Sequence, residues 1–100
     1  MQNDYAQFIP WKRTSMYKTD EETGKLYVAS IKGEGIFCIS GIGAFVWNFV
    51  NGINTIEVIC NEIMSAYEGC TYEQVFNDVK RILDEMQKKD LVIYNWDALA

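Results

Sequence analysis

Apolar positions change their period partway along this chain. KLYVAS (25–30) and GIFCIS (35–40) are short blocks rich in β-branched and aromatic residues. Each has strand length, and Lys32, Gly33, Glu34 and Gly35 separate them as a turn in which glycine supplies positive φ. Upstream, KRTSMYK (12–18) is polar with several β-formers and predicts an exposed first strand. Asp20, Glu21, Glu22, Thr23 and Gly24 connect it to the second. Residues 1–10 read as an arm or loop ending at Pro10.

Beyond Ser40 the period becomes helical. Ile42, Phe45, Val46 and Phe49 fall at i, i+3, i+4 and i+7, with Trp47 on a second apolar face and Ser40 as the expected N-cap. Asn51-Gly52 closes this helix. Asn54 or Thr55 opens the next, whose stripe is Ile59, Ile63, Met64 and Tyr67, and Gly69 ends it. Thr71 with Gln74 three residues on forms a capping-box pattern. It starts a longer helix in which Val75, Val79, Ile82 and Met86 form one stripe, widened by Tyr72, Phe76 and Leu83. LVIY (91–94) follows as a short extended segment that can lie back on the core, and NWDALA reads as a loose tail. The order predicts an α+β fold, winged-helix-like, with an N-terminal three-stranded antiparallel sheet followed by three helices. A meander this small needs helices over its apolar face, which predicts one domain over 1–100 with a core at about 12–94.

Two helices joined by a tight turn raise the idea of a DNA-reading device, and charge weighs against it. Residues 41–50 carry no charge, and the second helix carries only Glu57 and Glu62 within residues 41–63. The net charge is −5 at pH 7, the wrong sign for displacing counterions from phosphates. The expectation is no nucleic-acid partner. No apolar run approaches the ~20 residues that span a bilayer, and the N-terminus lacks an apolar signal segment, so no membrane partner and a cytoplasmic location are expected.

Catalytic chemistry is poorly provided for. There is no histidine, which removes the commonest general base and metal ligand. Cys38, Cys60 and Cys70 are odd in number, contain no CxxC, and read as reduced thiols behaving as small hydrophobes. A zinc site would need all three plus a carboxylate at spacings unlike ligand knuckles. No catalytic residue, metal or cofactor is expected.

The segments IFCISGIGAFVWNFVNGINTIEVICNEIMSAYEG and VFNDVKRILDEMQKKDLVIY combine a strand, a short aromatic helix, NG, T-I-E-x-I, and a long D-V-x-x-x-L helix ending in L-V. In this combination the chain resembles the PqqD-like family over about residues 12–94. These are small peptide chaperones also called RiPP recognition elements. The resemblance implies a non-catalytic protein that holds the leader segment of a ribosomally made precursor peptide. It would present that peptide to a modifying enzyme: a radical SAM maturase, a cyclodehydratase, a lanthipeptide dehydratase or a leader peptidase. It further implies that the leader adds as a β-strand to GIFCIS, in a groove closed by the third helix. The alternative reading is a winged-helix DNA-binding or scaffold module.

The residues themselves are compatible with the implied site. Positions 35–39 hold no charge and no proline, the usual blocks on an open strand edge. Gly35, Ile36, Phe37, Cys38 and Ile39 are therefore the candidate strand contacts, with Phe37 and Ile39 alternating against Cys38. On the helix, Val79 and Ile82 suit the core, and Val75, Phe76 and Leu83 suit a groove wall. Asp78 and Arg81 lie beside the Val75/Ile82 edge and Lys80 beside the Phe76/Leu83 edge. Arg81 or Lys80 could pair with a leader carboxylate, and the sequence leaves open which edge faces the peptide. An open apolar edge could also pair with a second copy, giving a homodimer.

Overall fold

The computed structural model describes residues 4–30 and 35–94. The expected turn at Lys32, Gly33 and Glu34 and the tail 95–100 lie outside the described residues. Three helices and a three-stranded antiparallel sheet form an α+β fold, as the sequence predicts. The strands of that sheet are β2 (Tyr17–Thr19), β3 (Leu26–Ala29) and β4 (Ile36–Ile39), in the order β2-β3-β4. The helices are α1 (Ile42–Phe49), α2 (Ile56–Ala66) and α3 (Tyr72–Lys88).

The expected first strand at 12–18 is two strands in different sheets. Its beginning belongs to β1 (Pro10–Lys12), which pairs antiparallel with β5 (Val92–Tyr94) in a separate two-stranded sheet. Its end is β2. The break falls at Arg13–Met16, where the Thr14 hydroxyl accepts from the Met16 N–H, a local turn that competes with a straight strand.

Residues 4–10 differ from the expected arm, whose first three residues lie outside the described ones. Asp4–Gln7 forms a 3-10 turn, and Tyr5, Ala6 and Phe8 pack on the core. The Phe8 carbonyl accepts from Ile56 N–H at the start of α2, and the Pro10 carbonyl accepts from Gly52 N–H. Three apolar side chains within four residues give the segment enough burial to order it.

The helix boundaries follow their caps. Thr55 accepts from Val58 N–H, and Thr71 with Gln74 makes the full reciprocal capping box. Ser40 is not a cap: Gly41 holds the N-cap position of α1 at φ +63 without a side-chain bond. The chain must turn sharply from β4 into α1 there, and the left-handed backbone suits glycine. Gly52 (φ +77) makes the α1–α2 turn, and an added Cβ would stand 2.7 Å from the Trp11 ring.

The core lies between the inner face of the sheet and the helices. Leu26 and Val28 of β3 meet Val46 and Trp47 of α1, Ile59 and Ile63 of α2, and Val79 and Leu83 of α3. Cys60 is buried within it, and burial pushes its thiol up to about 11. After α3 the chain reverses at Asp90 (φ +60), a conformation short polar residues tolerate. Leu91 and Val92 then enter the core. Arg13 pairs with Asp90 at 3.1 Å and its N–H donates to the Leu91 carbonyl. Residues 10–13 and 90–94 thus meet. Their seam carries a polar cluster in which the Tyr5 and Tyr94 hydroxyls are 2.7 Å apart and Tyr94 donates to Asp84 at 2.8 Å.

Two outcomes follow for stability. Thr71→Ala should cost about 1 kcal/mol for its lost cap. Gly52→Ala, which combines positive φ with the Trp11 contact, should cost more, and urea midpoints of the two variants will rank them. Burial, the larger cause, raises both Tyr5 and Tyr94 above the ordinary phenol range. The folded state therefore keeps protons that the unfolded state gives up near pH 10. Stability should be intact below about pH 10 and fall progressively above it. Tyr94→Phe should flatten that decline in urea melts at pH 8 to 11.

Candidate functional site

The parity of the β3–β4 ladder decides which backbone groups are free. Ser30 N–H donates to the Gly35 carbonyl, and the register pairs Val28 with Phe37 and Leu26 with Ile39. In an antiparallel ladder the hydrogen-bonded pairs alternate, so residues 35, 37 and 39 bond toward β3. Ala29 N–H donates to the Met16 carbonyl, on the β2 side, which fixes the same parity independently. Ile36 and Cys38 therefore turn their N–H and C=O groups to the outer edge of β4. No described strand pairs there, since β4 is the last strand of its sheet.

Side chains alternate with the same period. Phe37 and Ile39 are half-buried against the core, while Ile36 (71% exposed) and Cys38 point outward. Tyr27 is the cross-strand partner of Cys38, whose thiol raises the Tyr27 phenol above its usual range.

A cleft of about 470 Å3 runs between this strand and α3. One wall is Cys38, Ile39 and Ser40, continued by Ile42 and Gly43 at the start of α1. The other is Arg81, Ile82, Glu85, Met86 and Lys89. The Lys89 ammonium lies 5.3 Å from the centroid of the Phe37 ring. Within the first wall β4 and α1 pack closely: a Cβ on Gly43 would stand 2.8 Å from Ile39 Cγ2. Ile42 also lines a second cavity, of about 580 Å3, at the corner of α2 and α3. Its apolar lining includes Ile63, Val75 and Val79, and Tyr67, Glu68 and Asp78 stand around it.

The candidate residues divide by helix face. Arg81 and Ile82 face the cleft beside β4, and Val75, Asp78 and Val79 face the corner cavity. Gly35 is exposed at φ +118 just before β4. Three others lie elsewhere. Leu83 is fully buried in the core. Phe76 meets Tyr5 edge-on, with centroids 5.7 Å apart. The Lys80 ammonium sits 5.2 Å over the Tyr5 ring and 3.5 Å from Asp84. The reason is that the N-terminal 3-10 turn and β5 pack along the Phe76/Lys80 side of α3, leaving the Asp78/Arg81/Ile82 side toward β4.

Glu85 and Lys89 are groove residues that the sequence reading passed over. The signal was available, because 78, 81, 82, 85 and 89 recur at three- and four-residue spacing on one helix face. Ile42 and Gly43 carried no such signal, since their role depends on how α1 is set against β4. The groove is electrically polar along its length. Arg81 and Lys89 lie at the β4 end with Glu85 between them, whereas Glu68 and Asp78 lie at the corner. Among the described residues no group of three or more Cys, Asp or Glu is placed to hold a metal ion, and no helix is long and apolar enough to cross a membrane.

Residues 20–92 match the family model described as Coenzyme PQQ synthesis protein D (PqqD). No curated protein and no solved structure matches the chain. The matched span runs from the β2–β3 turn into β5 and so includes both walls of the cleft. The chain therefore belongs to the PqqD family.

Proposed function

We propose that this protein is a non-catalytic peptide chaperone. It binds the leader segment of a ribosomally synthesised precursor as an added strand on β4 and presents the rest to a modifying enzyme. The observation that carries this reading is the pair of outward-facing backbone positions, Ile36 and Cys38, beside a cleft walled by α3. Four backbone groups offer four hydrogen bonds, each worth about 0.5–1.5 kcal/mol net. That gives modest affinity without sequence preference, so side chains entering the cleft supply specificity.

The sheet is antiparallel throughout, and an antiparallel peptide extends the same pattern. β4 runs opposite to α3, since Phe37 lies beside Lys89 while the residues after β4 reach Val75 and Val79. The bound peptide then runs with α3, its N-terminal end at the α2–α3 corner and its C-terminal end near Lys89. A leader carboxylate would meet Lys89 there, or Arg81 about two turns earlier along α3. Family membership supports a role in natural-product biosynthesis, with precursor peptide and modifying enzyme as the partners. The same edge admits a second copy of the chain, so peptide and homodimer would compete. With three free thiols the chain suits the reducing cytoplasm.

The test is titration of a labelled leader peptide encoded beside this gene. Saturable binding that duplex DNA does not compete is expected, and failure to bind any such peptide would overturn the proposal. Cys38→Pro removes an outward N–H while leaving the β3 ladder intact, a placement edge strands tolerate. It should weaken binding by about two- to tenfold while circular dichroism and urea midpoint stay near wild type. Arg81→Glu should weaken binding of a leader with an acidic residue and reverse its salt dependence.

A further inference from the structure

The corner cavity has no part in strand pairing, yet it lies directly upstream of where a peptide on β4 would begin. Its floor is apolar, made by Ile42, Ile63, Val75 and Val79. Around it stand two carboxylates, Glu68 and Asp78, and the Tyr67 ring. Glu68 forms no ion pair among the described residues, and Asp78 reaches only Arg81, at 3.5 Å with both side chains largely exposed. Such a surface pair is worth little and yields readily to another cation. Tyr67 is 41% exposed, and its ring leans on Phe45 with centroids 5.8 Å apart, which holds it in place.

We infer that this cavity is a subsite for one lysine or arginine side chain of the bound peptide, upstream of the strand-paired segment. An aliphatic stem would cover the apolar floor while its charged head stays at the rim, the usual behaviour of long basic side chains. Glu68 and Asp78 would accept charge-assisted hydrogen bonds from that head, and Tyr67 offers a ring face to a cation. An acidic side chain would meet two like charges there, and a purely apolar one would leave the carboxylates unused. With Lys89 at the opposite end of the groove, beside Phe37, the two ends demand opposite charges. Net charge thereby becomes a device for register: a peptide slipped along β4 or reversed on it loses both pairings. The inference rests on the peptide-binding reading above.

The experiment is selection from a random twelve-residue phage-displayed peptide library against the full chain. Clones are retained only if Cys38→Pro weakens their capture. The retained sequences should be enriched in Lys or Arg on the N-terminal side of an alternating apolar segment. A synthetic peptide from that pool should bind about tenfold more weakly when its basic residue is replaced by norleucine. The double variant Glu68→Gln/Asp78→Asn should weaken the basic peptide similarly and leave the norleucine peptide unchanged. Retained clones without an upstream basic preference, or an indifferent double variant, would overturn the subsite and leave the chaperone reading standing. If no clone depends on the β4 edge, the chaperone reading falls and the subsite falls with it.

Discussion

The position of α3 depends on the reversal at Asp90. There the chain turns with positive φ, Arg13 pairs with the carboxylate, and β5 runs back beside β1. Without that tie, α3 would be fixed to the fold chiefly through α2, and its C-terminal turn could swing. The groove wall is made of that turn: Glu85, Met86 and Lys89 stand opposite β4. The exposed edge can stay open because its inner face is already covered. Phe37 and Ile39 have their partners in the core, and the outer edge presents backbone groups, with only Ile36 and Cys38 pointing their side chains outward. A strand that was unpaired and also uncovered would have collapsed onto another element or aggregated.

Local signals carried most of the helical half of the fold. Thr55, Thr71 with Gln74, and Gly52 all act where a reading of caps and turns puts them. The same reading failed at Ser40, because the connection from β4 into α1 is set by a left-handed glycine whose conformation answers to packing. It failed again at 12–18, where one polar strand was expected and two strands of different sheets exist. Nothing in KRTSMYK announces that its first residue pairs with a segment eighty positions away in the chain. Such a pairing is a fact of topology, and the apolar pattern of LVIY says only that the segment is extended and buried.

The groove shows the same division. Strand alternation separates Ile36 and Cys38 from Phe37 and Ile39, but it takes the register to say which set faces out. Helical periodicity marks both edges of α3 equally. The choice between them was made by residues 4–8, whose packing on the Phe76 and Lys80 side could not be read from an N-terminal stretch with no evident pattern.

Gly43 has a consequence for how this scaffold could change. Its bare Cα lies under Ile39, where even one methyl group would force the strand side chain outward into the cleft. The depth of the groove is thus set by an atom that is missing. Alanine at this position would make the channel shallower without touching any hydrogen bond, and a smaller residue in place of Ile39 would deepen it from the strand. Ligand size is therefore governed separately from ligand charge, on different helices, so one can drift during evolution while the other is held.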